Sequence, residues 1–185
     1  MDFLWVVLAL GLLALLVLPY NALIARKNQV ENAFGAVEAQ LKKRRDLIPG
    51  LVAAVQAYMA HERELLERLT RLREAAAGAA TPEEEFRLEE EVSRLLREVR
   101  LRAEAYPDLK ASQNFLQLQA ALAEAEDAIA AARRFYNQAV TEYNNAVEQV
   151  PTLLYARLMG LGRKPVFTLP EEERLPPDLG RLFRG

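Results

Sequence analysis

The chain has 185 residues, 51% of them hydrophobic and 27% charged, with a formal net charge of −2. That size suits one domain with an accessory segment, and the near balance of charge argues against nucleic acid, which draws a clearly basic surface. Cysteine is absent, which excludes disulfides, thiolate metal sites and cysteine nucleophiles together.

The first element is the unbroken apolar run "FLWVVLALGLLALLVL" (3–18), and no charge occurs between Asp2 and Arg26. About 20 helical residues, at roughly 1.5 Å each, cross a hydrocarbon core of about 30 Å, so this window is long enough to span one. A cleaved signal peptide would carry a basic start and a small-residue cleavage site. Here the start is Met-Asp and the run ends in "VLPYNAL". The window therefore reads as an uncleaved, single-pass anchor over residues 1–25, with the lipid bilayer as its partner through residues 3–25. Cations follow the run (Arg26 and Lys27, then "KKRR" at 42–45) rather than precede it, which places the C-terminal domain on the cytoplasmic side of the cell membrane.

Heptad spacing continues out of the anchor. Leu23, Val30 and Val37 form one row, and Phe34, Leu41 and Ile48 a second. Pro49-Gly50 interrupts the stripe, but a mid-helix proline bends a helix without having to end it. Apolar positions resume at Leu51 and run to Leu72, so one long helix is expected from Asn21 to about Gly78. Thr81-Pro82-Glu83-Glu84 is a capping box with proline at the first helical position, and it starts a second helix that stops near Tyr106-Pro107. A third helix is expected from about Ala111 to Val150. Its stripe runs at strict sevens through Phe115, Leu122, Ile129, Tyr136, Tyr143 and Val150, beside a row of Leu118, Ala125, Ala132, Ala139 and Ala146 that permits close helix approach. Pro151 ends it. A short helix over about 152–160 and a proline-rich arm over 161–185, partly disordered, complete the chain.

The fold class is all-α: a transmembrane helix continuing into a long antiparallel bundle, residues 26–160, of three long helices and a short C-terminal one. The second helix is too short to cover the whole of the first, which leaves segment 151–169 as the cover for the membrane-proximal part.

Chemistry-bearing patterns are few. His61-Glu62 opens "HEREL", but a zinc protease needs H-E-x-x-H and His61 is the only histidine. Ser93 and Ser112 are the only serines, and neither sits in a glycine-rich elbow. Abundant glutamate on helices reads as solvated surface, so no catalytic residue, metal ligand or cofactor is assigned. The basic cluster Lys42, Lys43, Arg44 and Arg45 is either a solvated face or a contact for an anionic partner such as lipid. It has no aromatic interleaving for nucleic acid. Tyr-Asn occurs twice on the third-helix stripe, as Tyr136-Asn137 and Tyr143-Asn144. With Asn28 and Asn32 of the first helix as partners, these form either a buried polar seam that fixes register or a groove for a ligand.

The stretches "YNALIARKNQVENAFGAVEAQLKKRRDLIPGLVAAVQAYMAHE" (20–62) and "EAYPDLKASQNFLQLQAALAEAEDAIAAARRFYNQAVTEYNNAVEQVP" (104–151) resemble the two halves of the LemA family. Gly35, Gly50 and Val150 depart from its pattern. The resemblance implies a membrane-anchored helical bundle and supplies no catalytic residues. Similar proteins are discussed alongside membrane-protein quality control and membrane peptidases. The expectation is thus a non-enzymatic membrane scaffold or adaptor that self-associates as a homo-oligomer or binds a membrane protein. The alternative is a lipid- or peptide-binding module using residues 42–45 and the Tyr/Asn seam.

Overall fold

The computed structural model describes residues 2–167. Every regular element among them is helical: α1 (Asp2–Gln56), a 3-10 turn η1 (Ala60–Glu62), α2 (Arg63–Ala77), α3 (Pro82–Ala103), α4 (Pro107–Lys110), α5 (Gln113–Glu148) and α6 (Thr152–Leu158). By contacts the chain divides into two compact units. The first takes residues 2–43 and 124–166, the second residues 44–123 and Phe167. The remainder of the C-terminal arm, residues 168–185, lies outside the described residues.

In the first unit α1 and α5 are antiparallel. Arg26 pairs with Glu142, Phe34 meets Tyr136 at a ring distance of 6.0 Å, and Lys43 bonds Glu124 at 3.0 Å, so partners fall in number along α5 as they rise along α1. The heptad residues do what their spacing requires, since Leu23, Val30, Val37 and Leu41 of α1 and Ile129, Tyr136 and Tyr143 of α5 are all buried. Alanines 125 and 139 are buried among them, which fits close helix approach. Residues 3–18 are exposed on every side, and α1 is the one described helix long and apolar enough to cross a membrane. Segment 151–166 belongs to this unit, as the length argument requires. Its helix α6 closes with a left-handed Gly160 (φ 65°), where Leu161 N–H bonds the Ala156 carbonyl and Gly160 N–H that of Arg157. This paired geometry satisfies the last helical carbonyls and needs a residue without a Cβ at position 160.

The second unit departs from the expected rod. The first helix does not continue to Gly78. It ends at Gln56, turns through Ala57–Met59 and η1, and α2 folds back along α1. Val52 and Gln56 of α1 line one cleft with Arg63, Leu66 and Thr70 of α2, and Arg73 reaches Arg45. Burial drives the reversal. A continuous helix would leave Leu65, Leu66 and Leu69 without cover, whereas the hairpin puts them in one core with Ile48, Leu51 and Val55 and plugs the turn with Met59. The helix α3 then runs antiparallel to α2, with Arg102 bonded to Glu62 near the far ends, and α5 returns so that Leu118 lies against Gly50. Four helical segments therefore alternate in direction around a core completed by Val92, Leu95, Val99, Phe115 and Leu122. The capping box forms as expected, with the Thr81 hydroxyl accepting from Glu84 N–H and the Glu84 carboxylate accepting from Ala80 N–H. Val150 leaves the stripe it was assigned to. It is solvent-exposed because α5 ends at Glu148, and the Val150–Pro151 peptide is cis.

Helix α1 passes through Pro49 without ending, and the structure shows what compensates. Proline has no N–H for the carbonyl four residues back, that of Arg45. Arg73 Nε of α2 donates to that carbonyl at 2.9 Å. Replacing Arg73 by Met leaves the carbonyl without this donor and should cost about 1–3 kcal/mol in chemical denaturation of the detergent-solubilised chain. In a Pro49→Ala background the restored N–H takes the carbonyl, and the cost of Arg73→Met should fall by more than half. An equal cost in both backgrounds would show that Arg73 has some other role.

Candidate functional site

Two polar constellations stand out, one in each unit. The basic cluster splits by helical phase, and its inward half, Arg44 and Arg45, belongs to the second unit. Lys42 and Lys43 are exposed, whereas Arg44 and Arg45 point inward. Arg44 is 1% exposed and so is Glu89 of α3. The Arg44 guanidinium bonds the Glu89 carboxylate, the Glu89 carbonyl at 2.8 Å and the Ser93 hydroxyl. Arg45 bonds Glu85 at 2.8 Å and the other carboxylate oxygen of Glu89. One buried carboxylate is thus held between two guanidiniums, with a second carboxylate at the edge. Burial alone would lower the Arg45 pKa, but hydrogen bonds and charge from Glu85 and Glu89 outweigh it and hold it above the ordinary value. Such a network is committed to itself, and the two arginines are withdrawn from any anionic partner.

Glu85 and Glu89 had no place in the sequence reading, and Ser93 entered it only as a rejected nucleophile, although a signal existed. Extending the row Leu23, Val30, Val37 by one heptad lands on Arg44 and then Leu51. Stepping back by one heptad from Leu96 lands on Glu89. A charge in a buried heptad position calls for an opposite charge in the facing one.

In the first unit the Tyr-Asn seam holds the chain's own extended segment after α6. The Asn144 side-chain amide donates to the Lys164 carbonyl at 3.0 Å and accepts from Lys164 N–H at 2.8 Å, pairing with that peptide as a neighbouring strand would. Tyr136 donates its hydroxyl to the Pro165 carbonyl at 3.2 Å, and the Lys164 ammonium lies 5.6 Å from the centre of the Tyr143 ring. Burial raises the Tyr143 phenol above its ordinary pKa, so the ring stays neutral under the cation at physiological pH. Asn137 is half-buried, and its carbonyl accepts from Thr141 at 2.8 Å. Asn28 and Asn32 are exposed, so Asn144 finds its partner in the Lys164 backbone rather than on α1. Close by, Lys27 and Glu31 pair at 2.7 Å across one turn. Their mutual hydrogen bond raises the lysine pKa and lowers the glutamate pKa.

Neither constellation places a nucleophile beside a base. Among the described residues, no group of three or more His, Asp or Glu is arranged to hold a metal ion. What the first can do is lock α3 to α1, and what the second can do is hold an extended backbone.

Removing the central carboxylate should expose the cost of this burial. Glu89→Leu leaves two inward guanidiniums without their common counter-ion and should lower stability by about 3–5 kcal/mol. The pair Arg44→Met with Glu89→Leu, which removes both charges, should recover a large part of that loss in the same denaturation experiment. A double variant no more stable than Glu89→Leu alone would mean that packing rather than charge sets the cost.

A family model described as "LemA family" matches residues 33–179. A relative named Protein LemA, from Metamycoplasma hominis, is 27% identical over 163 residues, which cover 88% of this chain and 74% of the relative. The name carries no catalytic activity. With a match over most of its length, the chain belongs to the LemA family.

Proposed function

We propose that this protein is a non-enzymatic, membrane-anchored helical scaffold or adaptor. The observation that carries this reading is the pairing of an uncovered apolar helix end with a domain in which buried Arg44, Arg45 and Glu89 are bonded to one another. Residues 3–25 would set location in the cell membrane. The cations after the run would keep the C-terminal domain on the cytoplasmic side. The exposed helix faces would bind further copies of the chain or a membrane protein. Service in membrane-protein quality control rests on the family resemblance alone.

The second reading, a peptide- or lipid-binding module, is favoured by one observation. Asn144 and Tyr136 hold residues 164 and 165 through their backbone, in the manner used to hold a peptide. Its lipid arm is weaker. Arg44 and Arg45 face inward, which leaves Lys42 and Lys43 as the outward cations of the cluster.

Light scattering on the detergent-solubilised chain separates these readings when set beside a version whose residues 3–25 are replaced by an unrelated spanning segment. The scaffold reading expects a defined multimer for the natural chain. Loss of the multimer on replacement would assign assembly to the anchor, and its retention would assign assembly to the helical domain. Monomers in both would remove self-association from the account.

A further inference from the structure

Helix α6 half-buries Leu153 on its inner side yet leaves two further leucines outside. Its small residue Ala156 is buried, while Leu154 and Leu158 are 57% and 84% exposed, and Val150 at the preceding corner is 76% exposed. Leu154 and Leu158 lie four residues apart on α6 and so share one outward apolar face, while Val150 is exposed at the corner before the helix. A soluble bundle would place that face inward, as α2 and α3 do with theirs.

The position of α6 in the first unit bears on the two exposed leucines. Tyr155 donates its hydroxyl to the carbonyl of Leu16 at 2.6 Å, and its ring meets Tyr20 edge-on at 6.1 Å. Leu16 belongs to the run 3–18 that is exposed all round. It lies ten residues before Arg26, which is about 15 Å along a helix. The tip of Tyr155 therefore lies well to the apolar side of the first cation. Two tyrosines at this level match the aromatic belt that marks a membrane–water boundary. Arg157, exposed on α6, is long enough to carry its charge back to the head groups.

We infer that α6 and the corner before it form a second, interfacial contact with the bilayer, in which Val150, Leu154 and Leu158 enter the boundary between head groups and acyl chains beside the anchor. The inference rests on the reading of residues 3–25 as membrane-spanning. The occupant of the face is lipid because α6 is tied through Tyr155 to the uncovered part of α1. Holding α6 in the interface would fix the rotation and tilt of the first unit against the membrane, which a single spanning helix does not do.

The absence of cysteine makes the test direct. Single cysteines are placed in the full chain at Leu158, Leu154, Leu10 and Arg94, labelled with an environment-sensitive dye, and the protein is reconstituted in phosphatidylcholine/phosphatidylglycerol vesicles. All four side chains are exposed, so the variants should fold. The inference expects positions 158 and 154 to be quenched at least twofold by lipids spin-labelled high on the acyl chain, and less by those labelled near its end. Position 10 should be quenched most by a deep label, and position 94 by neither. If 158 and 154 behave like 94 while 10 is quenched, α6 lies in water and the inference falls while the anchor stands. If position 10 is also unquenched, the anchor reading fails and takes this inference with it.

Discussion

Apolar surface without protein cover has to leave water by another route, and residues 3–18 of α1 are in that position. Their large side chains, at about 1.5–3 kcal/mol each, represent well over the roughly 5–15 kcal/mol that holds a typical domain folded. Such an exposure in water would outweigh the stability of the fold, and by length and composition this helix can cross a membrane. The rest of the first unit follows from it. The same helix narrows from apolar on all sides to a one-sided stripe at Leu23, where α5 begins to provide cover. Tyr20 and Tyr155 meet edge-on just before that stripe begins, each with an apolar ring and a polar tip.

In the second unit the governing interaction is electrostatic. Heptad packing alone tolerates a slip of one turn, because apolar side chains of similar size are interchangeable. A carboxylate held between Arg44 and Arg45 does not tolerate it, since a slip would leave three charges buried and separated. The Arg73 contact to the Arg45 carbonyl fixes α2 at the same level. Register between α1, α2 and α3 is thus set at one point, close to the proline that would otherwise weaken α1. The network is better understood as a device for register than as a source of net stability.

Much of the helical architecture was legible in the sequence because heptad periodicity and capping chemistry are local. Thr81-Pro82-Glu83-Glu84 specifies a helix start by itself, and Phe115 through Tyr143 specify a buried stripe. The reversal at 57–59 was not legible. It contains no glycine or proline, and the apolar stripe continues through it, so a continuous helix satisfies the pattern equally well. Only the competition for cover between α1, α2 and α3 decides, and that is a tertiary matter. The basic cluster misled in a similar way. A run of four cations reads as solvated, yet two successive residues on a helix are about 100° apart, and the run crosses from the wet face to the buried one between Lys43 and Arg44. Of the Tyr-Asn seam, Tyr136, Tyr143 and Asn144 are buried, whereas Asn28 and Asn32 are exposed. The seam's partner was not legible, because an extended segment held by backbone hydrogen bonds leaves little trace in side-chain identity.

The central claim is that the chain is a membrane protein by virtue of α1, with a helical domain organised around that fact. Alkaline carbonate extraction of membranes from cells making the full-length chain tests it most directly, since carbonate strips peripheral proteins and leaves spanning ones. The account predicts that the intact chain stays in the membrane pellet. Recovery of the intact chain in the soluble fraction would contradict it, and α1 would then need a protein partner to cover residues 3–18.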